Sequence, residues 1–272
     1  MMKKTEKKHN ALIPLLKIVF MSMIILFPFS NIQAQETVDW DSEFECGFAE
    51  YKHGNWREAL SHLEKIANAL PSLSSDENSI GMLYLICGSC KQELGDIKSS
   101  IDYYSKALIM KGIQIELRTQ LLCSQLNNYS ALSMRNECET IINDMMKIFN
   151  VRKDIVLVEQ IMSFYLKEGM YLKIISFEND ITNIIASSRN TETNKDLHTI
   201  QLNSIYMCLA HSFSELNEYN KALVYCEKSL ATINEYNKKN KSIIYAYMSK
   251  IYYDIGDKAS ALKYQKMSLE SE

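Results

Sequence analysis

The chain has 272 residues, 47% hydrophobic and 23% charged, with only 8 glycines and 3 prolines. That composition suits a globular protein of one or two domains and disfavours all-β folds and long flexible linkers, which need more glycine and proline. The formal charge of −3 is uneven: residues 1–34 carry five lysines and one glutamate, and the remainder carries 25 basic and 32 acidic residues, a balance of −7 that leaves no electrostatic footprint for nucleic acid or anionic lipid.

The first predicted element is a targeting segment. Lys3, Lys4, Lys7 and Lys8 form a positive start, and Lys17 precedes an uncharged run of twelve residues, Ile18–Phe29. A bilayer-spanning helix needs about 20 apolar residues and a signal-peptide core about 7–15, so the run has signal-peptide length. Pro28 and Ser30 end it, and Ile32-Gln33-Ala34 offers a cleavage site before Gln35. No cysteine follows directly, which argues against a bacterial lipoprotein anchor. Two readings stay open: removal from an exported bacterial protein, periplasmic or on the cell surface, or retention as an inner-membrane anchor.

From Trp40 onward one pattern recurs. Its clearest copy is Gly81–Met110, which reads as two short amphipathic helices joined by Leu94-Gly95-Asp96. The first helix carries Tyr84, Cys87, Gly88 and Lys91, and the second Ser100, Tyr104 and Ala107, each set on one helical face. Gly95 suits the left-handed conformation that ends a helix, and Asp96 offers an oxygen to cap the next. Gly88, costly in mid-helix by about 1 kcal/mol relative to alanine, implies close approach of a neighbouring helix backbone. An earlier copy has Cys46-Gly47, then Gly54-Asn55-Trp56 at the turn, then Ala59, Leu63 and Ile66. Gly47 to Gly88 and Gly54 to Gly95 are both 41 residues, so the register holds across two features.

Later copies follow in order. Leu122, Leu126 and Tyr129 with Cys138, Ile142 and Met145 form a third without a turn glycine. Val158, Ile161, Met162 and Tyr165 with Gly169-Met170-Tyr171 form a fourth, with Ile174 where a small residue is usual. Tyr206, Leu209, Ala210 and Phe213 precede Asn217-Glu218-Tyr219, Ala222, Cys226 and Ser229. Tyr245, Met248, Ser249 and Tyr252 precede Gly256-Asp257, Ala261, Gln265 and Ser268. The second-helix residues Ala59, Ser100, Cys138, Ile174, Ala222 and Ala261 lie 41, 38, 36, 48 and 39 apart. The polar runs Pro71–Ser79 and Ala186–Asp196 lack hydrophobic periodicity and read as surface loops between stacked hairpins.

These residues resemble the tetratricopeptide repeat, with its W-x2-L-G-x2-Y…A-x3-F…P pattern of about 34 residues. The match rests on Tyr84-x2-Cys87-Gly88 with Ser100-x3-Tyr104, on Tyr206-x2-Leu209-Ala210-x2-Phe213 with Ala222-x3-Cys226, and on Gly-Asn-Trp-Arg-Glu-Ala (54–59) and Asn-Glu-Tyr-Asn-Lys-Ala (217–222). The resemblance implies an all-α fold: a right-handed superhelical solenoid of about six hairpins, near 40–71, 81–113, 119–150, 155–187, 203–235 and 242–272. They form one repeat domain over 35–272, behind a signal segment at 1–34.

Enzymatic constellations are thin. His53, His62, His198 and His211 have no metal-ligand spacing, and there is no phosphate loop or nucleophile elbow. Asp39, Asp41 and Glu43 precede or open the first helix and read as helix-terminus charges. Seven cysteines, an odd number, are spread over the hairpins at mostly apolar helical positions. Cys87-Gly88-Ser89-Cys90 matches C-x-x-C only superficially, because it lies mid-helix, away from the amide dipoles that lower a thiol pKa. No catalytic, cofactor or metal site is assigned.

The resemblance further implies a concave face, lined by the leading helices, that binds a protein or peptide segment. Carried over by register, its residues are Phe44, Phe48, Tyr51, Ser89, Gln92, Asn127, Glu159, Ser163, His211, Lys250 and Tyr253. Phe44 and Phe48 could equally pack into the core of the first hairpin. They also stand where chaperone-binding members of the family carry a lysine–asparagine clamp, which argues against that clamp. The expected function is therefore an exported, non-catalytic scaffold, with a membrane-anchored sensory or assembly module as the alternative. At the C-terminus, Leu262, Tyr264, Met267 and Leu269 have no further helix to cover them, so self-association through this edge is also expected.

Overall fold

The computed structural model describes residues 40–69, 76–188, 195–235 and 237–271, without the side chains of 187–188 and 195–198. The targeting segment, its cleavage site and Asp39 lie outside the described residues. Every regular element among those described is an α-helix: α1 (Trp40–His53), α2 (Trp56–Ala69), α3 (Glu77–Glu93), α4 (Ile97–Leu108), α5 (Ile115–Ala131), α6 (Arg135–Arg152), α7 (Ile155–Lys167), α8 (Tyr171–Ile175), α9 (Glu178–Ser188), α10 (Lys195–Glu215), α11 (Tyr219–Leu230), α12 (Asn240–Ile255) and α13 (Lys258–Leu269).

Six turns share one hydrogen-bonded form. In each, one residue adopts a left-handed backbone: Gly54, Gly95, Ser133, Gly169, Asn217 and Gly256. The following amide reaches back five residues: Asn55 to Glu50, Asp96 to Lys91, Met134 to Tyr129, Met170 to Tyr165, Glu218 to Phe213 and Asp257 to Tyr252, all at 2.8–3.0 Å. This is the Schellman closure, which satisfies carbonyls orphaned at a helix end. The third copy, which lacks a turn glycine, makes the same turn with Ser133 at φ 58°. The next helix is then capped where an aspartate allows it: Asp96 accepts from the Ser99 amide and Asp257 from the Ser260 amide.

Amphipathic faces close over these turns. The second-helix residues Ala59, Ser100, Cys138, Ile174, Ala222 and Ala261 are all buried. Gly88 is needed for a different reason from the one expected. A Cβ there would lie 2.3 Å from Cε1 of Tyr104, so the approach is made by a ring from α4 and not by a neighbouring backbone. Gly47 is similar, its Cβ position 2.7 Å from Leu63 Cγ. Buried asparagines, which periodicity does not reveal, tie helices together. Asn128 donates to Ser100 at 2.8 Å. Asn203 donates to the Ser229 carbonyl at 3.0 Å and accepts from Asn240 at 2.8 Å.

The described residues form two compact units, dividing between Ile141 and Ile142 within α6. In the first, the leading helix α3 touches both α1 and α5, while α2 packs on α3 and α4 on α5. Its core joins Leu60, Leu63 and Ile66 to Leu83, Ile86, Tyr104, Leu117 and Leu121. In the second, α10 packs on α7, α8 and α11, and α11 continues onto α12. Here the fourth copy's second helix is broken. α8 has five residues, too few to persist by local hydrogen bonds. It is held by Ile174 and Phe177, both buried. Phe177 sets its ring edge-on to Phe149 at 5.7 Å.

Two expected loops are partly helical. α3 starts at Glu77, its N-cap Asp76 accepting from the Asn78 and Ser79 amides, and α9 and α10 run to Ser188 and from Lys195. The first turn of α3 packs through a polar residue, Asn78, which accepts from the Gln114 amide, so no apolar period marks it. Residues 70–75 and 189–194 lie outside the described residues. Glu43 lies in the first turn of α1, as expected of a helix-terminus charge, and also takes His62 at 2.6 Å and Lys65 at 3.0 Å on α2.

Candidate functional site

Site residues of the first unit gather around one phenol. Ser89 bonds back to the Leu85 carbonyl and lies 3.3 Å from the Tyr104 hydroxyl, which donates to Gln92 at 3.3 Å. Tyr51 joins them, its phenol pushed well above the ordinary value by burial, an effect Ser89 partly offsets. Tyr51, Ser89 and Gln92 are thus brought together around Tyr104, which the sequence placed only on one face of a second helix. Phe44, Phe48 and Tyr51 form a ladder with ring centroids 6.1 and 6.2 Å apart. Of the two placements open for these rings, Phe48 is in the core, with Phe44 and Tyr51 packed against it. Asn127 is half-buried on α5, beside the inward Asn128.

In the second unit Glu159 and Ser163 on α7 face Ser204 and Cys208 on α10. Ser204 donates to Glu159 at 2.9 Å and Gln160 donates to it at 2.8 Å. Burial pushes the Glu159 carboxyl above the usual range, and the three donors Ser204, Gln160 and Ser163 only partly offset this. His211 lies between Tyr171, at 5.9 Å, and Tyr247, stacked at 5.5 Å. Its Nδ1 is buried without a hydrogen-bond partner, and burial holds the imidazole below its ordinary pKa. Lys250 stands 3.7 Å from Glu215 and over the Tyr247 ring. Tyr253 is 68% exposed.

Sequence reasoning missed a cleft of about 340 Å³ between α9, α10 and α11. Its floor is Ile181, Ile185 and Leu209, and its rim holds Tyr206, Tyr225, Glu178 and Lys228. The Tyr225 hydroxyl donates to Glu178, and Lys228 sits 4.2 Å from the Tyr225 ring centre. Ile181 and Ile185, one turn apart on the short helix α9, were the available signal.

Six of the seven thiols are packing groups. Cys87, Cys90, Cys123, Cys138, Cys208 and Cys226 are buried and Cys46 is exposed. Burial pushes the Cys90 thiol up to about 12 and Cys87 higher still. Since the thiolate is the nucleophile, Cys87 and Cys90 should label slowly with a thiol reagent in the folded protein and rapidly in urea. Fast native labelling at either, read by mass spectrometry, would show that α3 opens locally or that the pair is reactive.

No family model and no curated protein matches the sequence. Solved structures do match. The chain superposes on a Podospora anserina putative kinesin light chain with nearly identical TPR-like repeats, at a TM-score of 0.53 and 13% identity, covering 71% of this chain and 93% of that one. The fold is that of the tetratricopeptide repeat. BtubC of P. vanneervenii superposes at a TM-score of 0.59 and 12% identity, over 86% of this chain and 91% of that one. PilF of Pseudomonas aeruginosa follows at 0.57 and 14%, over 83% and 88%. With identities this low, the likeness establishes the repeat fold.

Proposed function

We propose that the protein is a non-catalytic tetratricopeptide scaffold that holds a peptide segment of a partner protein against its leading helices, the concave side of the repeats. The observation that carries this reading is the composition of those helices. Tyr51, Ser89 and Gln92 in one unit, and Glu159, Ser163, His211, Lys250 and Tyr253 in the other, supply aromatic rings, amides and hydroxyls on leading helices, which supports a peptide-binding role for that side. Aromatic rings at such a surface dominate binding energies, and truncating a true anchor costs about 2 kcal/mol or more. Tyr253 is the cleanest test because its ring is largely exposed, whereas Tyr51 also supports the core. Tyr253→Ala should weaken binding of a peptide recovered from a random library about thirtyfold, with helicity by circular dichroism unchanged. Equal affinity would move the site to the cleft beside Tyr225 or to the Ala186–Asp196 segment.

The same reading places the protein outside the bacterial cytoplasm, in the periplasm or on the cell surface. The lysine-led, twelve-residue apolar run near the N-terminus supports export. No helix of the described residues is long and apolar enough to cross a membrane. N-terminal sequencing of the native protein should begin at Gln35. A retained Met1 would instead favour an anchored sensory or assembly module. The exposed Leu262 and Leu269 on α13 support a second, weaker contact between copies through the C-terminal edge.

A further inference from the structure

The half-buried Glu159 carboxylate lies between α7 and α10, and among the described residues every group that reaches it is neutral. Ser204 and Gln160 donate at 2.9 and 2.8 Å and Ser163 stands beside it. Among the described residues no lysine, arginine or histidine pairs with it. A carboxylate partly removed from water without a counter-charge is costly, and hydroxyl and amide donors return only part of its hydration.

A second observation comes from α10. Gln201 is 4% exposed, and both its amide oxygen and its amide nitrogen lack a hydrogen-bond partner. Gln201, Ser204 and Cys208 follow one another at spacings of three and four, so they share one helical face. Ser204 on that face already touches Glu159. An orphaned amide and an uncompensated carboxylate are thus presented along the same seam of two helices in direct contact. Buried side-chain amides are rarely left with both ends empty, so Glu159 and the Gln201 oxygen together call for N–H donors, and the Gln201 nitrogen for one acceptor such as a peptide carbonyl.

We propose that the seam between α7 and α10 receives a lysine or arginine side chain of the bound peptide, which donates to Glu159 and to the Gln201 amide oxygen. This rests on the scaffold reading above and adds a chemical requirement to it. An arginine fits best, because its planar fork presents several donors at once. The seam then selects partners by one buried cation, with the aromatic groups around His211 and Tyr247 packing on the flanking residues.

The test uses random dodecamer peptides displayed on phage and selected against the full chain, as wild type, Glu159→Gln and Ser204→Ala. Glu159→Gln keeps the shape of the side chain and removes its charge. Ser204→Ala keeps the charge and removes one neutral donor. Peptides recovered by the wild type should carry lysine or arginine at one fixed position, and so should those recovered by Ser204→Ala. Glu159→Gln should still recover peptides but without that preference, and should bind the wild-type peptides at least tenfold more weakly. A cation recurring equally with Glu159→Gln, or wild-type peptides with no fixed cation, would overturn the proposal and leave the scaffold reading standing. Loss of the preference in Ser204→Ala as well would assign it to local shape and overturn it too. Recovery of no peptide by any of the three would sink both. Circular dichroism melts of each variant accompany the selection. If Glu159→Gln fails to fold, the fixed cation in the wild-type and Ser204→Ala peptides decides.

Discussion

Gly88→Ala should destabilise the first unit by about 1–3 kcal/mol, the cost of overpacking a filled core. Helix propensity alone predicts the opposite sign, since alanine in mid-helix is favoured over glycine by about 1 kcal/mol. Packing wins because the new methyl would sit 2.3 Å from a ring carbon of Tyr104, and that ring is only 1% exposed. Its hydroxyl is also held between Ser89 and Gln92, so the ring cannot swing aside without breaking the cluster that brings the site residues together. The measurement is the urea midpoint, with hydrogen exchange along α3 and α4 to localise the loss. A variant as stable as wild type, or more so, would mean that the α3–α4 joint is looser than described.

Phe149→Ala should cost about 3–5 kcal/mol in the second unit, the range for truncating a buried aromatic. The ring is fully buried and meets Phe177 edge-on at 5.7 Å. Phe177 lies between α8 and α9, where the backbone changes direction and local hydrogen bonds are few, so its packing is what holds the five-residue α8 in place. Exchange protection should therefore fall first over 171–188, and the urea transition should shift to lower concentration. If α8 keeps its protection in this variant, Ile174 alone anchors the broken helix.

Most of the fold was legible because it depends on local rules. The turn at Gly95-Asp96 announces itself by a residue free to be left-handed followed by a residue able to cap; the same logic places the turn at Gly256-Asp257, and the glycine alone those at Gly54 and Gly169. The turn at Ser133 was hidden because serine carries no such signature; its conformation is imposed by the helices it joins. The break after α8 was hidden for a related reason, since Ile174 and Phe177 read as ordinary apolar positions of one continuous helix. The candidate site residues were chosen as positions in a register and not as a set of contacts. Register put Tyr51, Ser89 and Gln92 on leading helices, but only packing brought them to the hydroxyl of Tyr104. The cleft at Tyr206, Tyr225 and Lys228 combines three helices, a combination that no single period in the chain encodes.

By itself, the sequence determined that this protein is a run of about six helical hairpins of the tetratricopeptide kind, because hydrophobic period, turn chemistry and capping act within a few residues of one another. Tertiary structure alone decided which polar groups become buried and what they meet there. Phe48 turns into the core while Tyr253 stays in solvent, and Glu159 is left between α7 and α10 with neutral donors only. The physical reason is that desolvation and side-chain pairing depend on helices brought together from distant parts of the chain, which local pattern does not specify.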